Sequence, residues 1–352
     1  MQYRSILTRR VLAWAFYDWA NSAFALSVLA VLFPLFMGAY WSADDSGAVV
    51  TARLAWINAI ASAFICVLSP IFGSIADAGG LRKRFLFVLT LIGAAATALL
   101  GAVGEGGWAL AGLFFILGSL GYYGSTIFYD SLIIDVTKPR NYSYVSSLGY
   151  AIGYLGGAVL LTLHVVMLTN PSGWGFESAT AVIRFAFVSV GLWWACFALP
   201  LLFFVHESKS TTAVRKDVVR AAYRELRSTL RRISQYRNVV IFLLAYWLYI
   251  GGVFTVITMA VNYGQRLGFE QQDLVMALLI TNFAGFPATI LYGMFGHRFG
   301  PRPGIYLAIA VYILMSGLAM FMSEVWHFYA MAIVIVCVLG GVQGLSRSLY
   351  AS

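Results

Sequence analysis

From Val11 to Trp41 the chain is apolar almost without interruption, and nine further runs repeat the pattern. The ten stretches lie at about 11–40, 53–76, 85–103, 108–133, 145–168, 181–205, 238–262, 272–296, 304–322 and 328–349. Each is near or above the roughly 20 residues that a helix needs to cross a bilayer. In hydrocarbon every backbone N–H and C=O must find its partner within the structure, so such runs become helices. Only 11% of the residues are charged, against about 25% in an average soluble domain. The chain therefore reads as an all-α polytopic membrane protein of about ten spans. His206–Arg237 is the one long polar segment and separates spans six and seven.

The basic residues orient these spans. If the N-terminus is cytoplasmic, 20 of the 23 Lys and Arg residues face the cytoplasm, and only Arg53, Arg184 and Arg266 fall at outer ends. The outer loops then hold Asp44, Asp45, Glu105, Glu177, Glu270, Asp273 and Glu324. This is the positive-inside pattern. It explains the net charge of +9 as a topology signal beside anionic lipid rather than a nucleic-acid surface. Within the central segment Val219, Ala222, Tyr223, Leu226, Leu230 and Ile233 recur at helical spacing among arginines, which predicts an amphipathic helix lying on the cytoplasmic leaflet. Cys66, Cys196 and Cys337 fall singly in apolar runs and are expected as small buried hydrophobes. No Cys/His metal spacing, phosphate-binding loop or nucleophile–base constellation is present in the sequence, so neither a cofactor nor enzymatic catalysis is expected.

One charge breaks the first run. Asp18 stands in Trp14–Asn21, WAFYDWAN, with Trp14, Asn21 and Ser22 on the same helical face. A charge in mid-membrane costs about 2.5–3.5 kcal/mol on insertion scales and faces a protein interior or a wet pathway. Asp18 lies eight residues beyond Arg10, about 12 Å along a helix. Asp130, near the end of span four, and Arg347, near the end of span ten, occupy comparable depths.

An internal repeat is also legible. Gly73-x-x-x-Asp77-x-x-Gly80-x-Arg82-Lys83 follows span two, and Gly293-x-x-x-His297-Arg298-x-Gly300-x-Arg302 follows span eight, 220 residues later. Two parallel halves joined by a cytoplasmic linker would produce this. The expected organisation is an N-terminal six-helix bundle (1–205), a basic linker (206–237) and the first four helices of a second, truncated bundle (238–352). That leaves either a fragment of a 12-span protein or an atypical ten-span one.

The loop 73–84 resembles the cytoplasmic loop motif of the major facilitator superfamily. Four further stretches narrow the likeness: Tyr17–Phe24, Phe128–Leu132, Ser146–Tyr150 with Gly153–Gly157, and Gly340–Tyr350. Together they resemble the autophagy-related vacuolar amino-acid effluxer family, in its bacterial type. The resemblance implies the major facilitator fold of two six-helix bundles and secondary transport of an amino acid or similar small solute by alternating access. Export across a bacterial cytoplasmic membrane, coupled to protons, is its natural form. It also implies a cytoplasmic gate at Gly73, Asp77, Gly80, Arg82 and Lys83, and a central cavity lined by helices one, four, seven and ten.

Trp14, Asp18, Asn21, Asp130, Gln343 and Arg347 are the candidates for a solute or proton pathway. A carboxylate desolvated there can carry a proton or hold an ammonium, and Arg347 can hold a carboxylate. The same side chains could instead steady their helices or sit at an interface. Gly149, Gly153 and Gly157 form a small-residue stripe on span five for close helix packing. The lipid bilayer and a small solute are the expected partners, with the chain working as a monomer. An importer or drug exporter of the same fold, or a non-transporting membrane sensor or scaffold, remains open at this level.

Overall fold

The computed structural model describes residues 6–78, 81–208, 228 and 237–351, and every regular element among them is helical. Ten helices have the length and apolarity of a membrane span. They are α1 (Arg9–Trp41), α2 (Gly47–Ala78), α3 (Arg82–Leu100), α4 (Trp108–Ser131) and α5 (Tyr142–Thr169). The rest are α6 (Ala179–Phe204), α7 (Arg237–Arg266), α8 (Gln271–Phe299), α9 (Pro301–Ala319) and α10 (Val325–Ala351). Each covers one of the apolar runs, with ends shifted by a few residues. The amphipathic helix expected over 219–233 lies outside the described residues.

Local sequence sets the helix ends. Thr8 accepts from the Val11 N–H at 3.3 Å and Ser178 from the Ala181 N–H at 3.2 Å, so α1 and α6 open on side-chain caps. Gly300 ends α8 with φ 86°, and Pro301 starts α9 immediately after it. Glycine tolerates that left-handed φ, and proline needs no N–H at the first helical position. Within α1 the stretches Phe24–Leu32 and Met37–Trp41 are wound as π-helix; the Phe33 N–H, for example, reaches the Val28 carbonyl five residues back. Pro34 supplies a local reason, since its ring crowds the carbonyl four residues behind and it has no N–H to give.

The chain forms two compact units, described separately here. One comprises Met1–Val136 and Gly156–Tyr223, the other Thr137–Leu155 and Arg224–Ser352, each over its described residues. α5 is thus shared: its first half belongs with α7–α10 and its second half with α1–α4 and α6.

In the first unit an aromatic ladder fills the core. Phe33 stacks on Phe115 at 3.9 Å, Trp41 on Phe187 at 5.6 Å and Phe24 on Trp194 at 5.4 Å. Lipid tails are as apolar as leucine, so helices associate in membranes through close fit rather than hydrophobic drive. Glycines provide the fit here. A Cβ on Gly121 of α4 would lie 2.5 Å from the Gly93 Cα of α3, and one on Gly156 of α5 would lie 2.6 Å from the Trp19 carbonyl oxygen of α1. Gly157, one of the expected packing glycines, abuts Ser22 in the same way. Gly149 and Gly153 lie on the half of α5 that belongs to the second unit.

The second unit is built on Ile250, Val253, Ile305, Ala308, Val338, Val342 and Leu345. Two of its close contacts involve Ser147 of α5. A Cβ on Gly293 of α8 would lie 2.5 Å from Ser147 Cβ, and one on Gly344 of α10 would lie 2.6 Å from Ser147 Oγ.

One expectation is corrected. Cys66, Cys196 and Cys337 are exposed, not buried. Apolar thiols on outward faces of spanning helices meet lipid, so the premise that an apolar cysteine must be interior does not hold in a membrane. At Gly73 a Cβ would meet nothing within 4 Å. At its repeat counterpart Gly293 a Cβ would crowd Ser147, so the two copies of the repeat differ in packing.

Candidate pathway residues and their supports

Asp18 is 7% exposed and accepts a hydrogen bond from Tyr129 Oη of α4 at 2.7 Å. Tyr129 is fully buried and stacks on Trp14 at 4.4 Å and on Tyr17 at 5.0 Å. Trp14 Nε1 donates to the Tyr129 carbonyl at 3.0 Å. That carbonyl lies in the last turn of α4 and also accepts the Leu132 N–H at 3.2 Å, so the indole adds a second donor at the helix end. Tyr17 Oη pairs with Thr90 Oγ1 of α3 at 2.7 Å. Residues 14, 17 and 18 project from neighbouring positions of α1, so one face of that helix engages α4 and α3 together. Asn21, one turn on, is buried.

Sequence reading singled out Trp14 and Asp18 but gave no role to Tyr129, the residue that joins them. The adjacent Asp130 drew attention as a charge, yet one step along a helix turns the side chain by about 100°. Asp130 is half-buried in the last turn of α4.

Arg347 is 9% exposed on α10, in the second unit. Its Nε donates to Ser146 Oγ at 2.7 Å, its Nη2 donates to the Ser146 carbonyl at 2.8 Å, and its guanidinium lies 4.2 Å from the Tyr150 ring centroid. The planar fork of arginine suits this use of two acceptors with an aromatic face. One turn earlier, Gln343 Oε1 accepts from Tyr154 Oη at 3.3 Å. Ser146, Tyr150 and Tyr154 follow at i, i+4 and i+8 on α5 and meet Arg347 and Gln343 at i and i−4 on α10. The two helices are therefore antiparallel along this seam. Ser348 pairs with Ser143 at 2.9 Å, and Ser346 with Tyr249 of α7 at 2.6 Å. The stretches 146–150 and 340–350, noted separately in the sequence, are two sides of one joint.

The loop after α2 shows a third arrangement. Gly80 lies outside the described residues, as does the side chain of Asp77. Arg82 donates through Nη1 to Asp135 at 3.0 Å and through Nε to the Ala76 carbonyl at 2.6 Å. Lys83 Nζ donates to the carbonyls of Leu202 and Val205 at 2.7 and 2.6 Å. Glu207 accepts from the Arg82 N–H at 2.9 Å. These observed partners of Arg82 and Lys83 all lie in the first unit. Asp135 and Glu207 carried no motif of their own and were missed.

The comparisons decide the family. A family model described as "Vacuole effluxer Atg22 like" matches residues 8–352. The chain belongs to this family. A Bacillus subtilis (strain 168) protein named "Uncharacterized MFS-type transporter YxiO" is 34% identical over 349 residues, covering 98% of this chain and 81% of that protein. The "Autophagy-related protein 22" of Yarrowia lipolytica is 24% identical over 254 residues, 62% of this chain and 42% of its own.

Solved structures agree on the fold. The proton:xylose symporter XylE, bound to 6-bromo-6-deoxy-D-glucose, superposes with a TM-score of 0.58 at 14% identity, over 98% of this chain and 85% of its own. A bacterial homologue of iron transporter ferroportin in its outward-facing state gives 0.63 at 14% identity, over 98% and 84%. This Atg22-like chain is therefore a major facilitator transporter by family and by fold.

Proposed function

We propose that this chain exports a small solute, an amino acid or a close relative, by alternating access, with a proton carried at Asp18. The observation that carries the reading is a carboxylate buried inside a membrane-spanning helix and held there by a tyrosine hydroxyl. Such a group is costly unless it serves a pathway or is structurally paired. The family's description as an effluxer supports export, and the symporter named among the structural neighbours supports proton coupling on this fold. A buried carboxylate such as Asp18 suits a proton or the ammonium group of a solute.

The distribution of basic residues supports a cytoplasmic N-terminus in the cytoplasmic membrane of a bacterium, with anionic lipid at the basic face and a monomer as the working unit. The test is reconstitution in liposomes under an imposed pH gradient, screened with a panel of amino acids. Accumulation of one or a few of them that collapses with the gradient is expected. Gradient-independent counterflow would remove the proton from the reading, and no flux or binding across a broad metabolite panel would favour a sensor.

A further inference from the structure

Tyr129 is held unusually firmly for a residue whose hydroxyl is its functional end. Its ring stacks on Trp14 and Tyr17, and its carbonyl receives the Trp14 indole. All three supports come from one face of α1, the face that also presents Asp18 to its hydroxyl. The hydroxyl has little freedom to leave the carboxylate while α1 and α4 keep this contact.

We infer that Tyr129 is the positioning residue of the Asp18 pathway: its hydroxyl holds one carboxylate oxygen, and a proton or cationic group taken up at that oxygen displaces the hydrogen bond. This rests on the proposed role of Asp18 but does not depend on which solute is moved. The tyrosine O–H donates to one carboxylate oxygen and holds it in place. A proton or ammonium arriving at Asp18 must compete with that donor. The titratable neighbours seen against this group include Tyr129 from α4 and Tyr17 from its own helix, whose hydroxyl is engaged by Thr90 of α3.

The experiment needs no substrate. Dicyclohexylcarbodiimide is apolar and reacts with protonated carboxyl groups in membranes. The purified full chain is treated at one neutral pH and adducts at Asp18 and Asp130 are quantified by peptide mass spectrometry, with Asp18→Asn fixing the assignment. Tyr129→Phe keeps the stacked ring and removes the hydroxyl. Labelling at Asp18 should rise about tenfold, the low end of what a hydrogen bond to a charged group is worth, while labelling at Asp130 stays level. Thr90→Val, which removes the partner of Tyr17 instead, should leave Asp18 at its wild-type rate.

Equal Asp18 labelling in wild type and Tyr129→Phe, including none in either, overturns the proposal. So does a parallel rise at Asp130 or in Thr90→Val, which would signify a loosened bundle. Should Tyr129→Phe not yield monodisperse protein, Trp14→Phe tests the same hold with a smaller rise confined to Asp18. Failure here leaves the transport reading standing, because that reading is decided by solute flux of the reconstituted wild-type protein.

Discussion

Lys83 and Glu207 each close the end of the other's helix or its continuation. Lys83, in the first turn of α3, donates to the last carbonyls of α6, and Glu207, just beyond α6, accepts the first N–H groups of α3 at 2.9 and 3.4 Å. Helix ends leave such groups unsatisfied, and the helix dipoles favour an anion at the one end and a cation at the other. Glu207→Ala and Lys83→Met should each cost about 1.5–3 kcal/mol, the range for hydrogen bonds to charged groups. The check is thermal unfolding in detergent, where both should fall by several degrees. A double variant losing much less than the sum would show that the two caps act together.

The Arg347 joint predicts a ranking. Arg347→Met leaves both Ser146 acceptors and the Tyr150 face empty. Arg347→Lys keeps the charge but not the fork. Ser146→Ala removes one acceptor and retains the carbonyl. Loss of stability should follow that order, from about 3 kcal/mol down to about 1 kcal/mol. Arg347→Lys matching wild type would show that charge alone matters there.

Two glycines separate close packing from open space. A Cβ at Gly344 would meet Ser147 Oγ at 2.6 Å and Ser147 Cα at 3.0 Å. Backbone cannot yield as a flexible side chain can, so Gly344→Ala should destabilise by about 1–3 kcal/mol. At Gly73, inside α2 with nothing within 4 Å, alanine should be neutral or stabilising by up to about 1 kcal/mol. Parallel melting curves of the two variants decide this. Equal losses would mean that Gly73 also makes a close approach.

The ten spans were legible because length and apolarity admit only one backbone solution in lipid. The repeat at Gly73 and Gly293 was legible too, but not which copy is packed: that depends on Ser147, a residue far from either in sequence. Asp18 stood out as a charge in an apolar run. Its partner Tyr129 did not, since tyrosines are common in this chain and a contact across 111 positions leaves no periodic trace. Asp135 and Glu207 looked like ordinary loop acids, and their value comes from the helix ends that folding brings to them. The cysteines were misjudged by a rule learned from aqueous interiors, where apolar means buried.

The proposed function turns on whether Asp18 carries the coupled proton. Wild-type protein and Asp18→Asn, reconstituted at equal density in liposomes loaded with a pH-sensitive dye, provide the most direct measurement. Solute-dependent proton movement is expected in the wild type and none in Asp18→Asn, with both proteins equally folded. Undiminished proton movement in Asp18→Asn would contradict it and leave Asp18 as a structural partner of Tyr129.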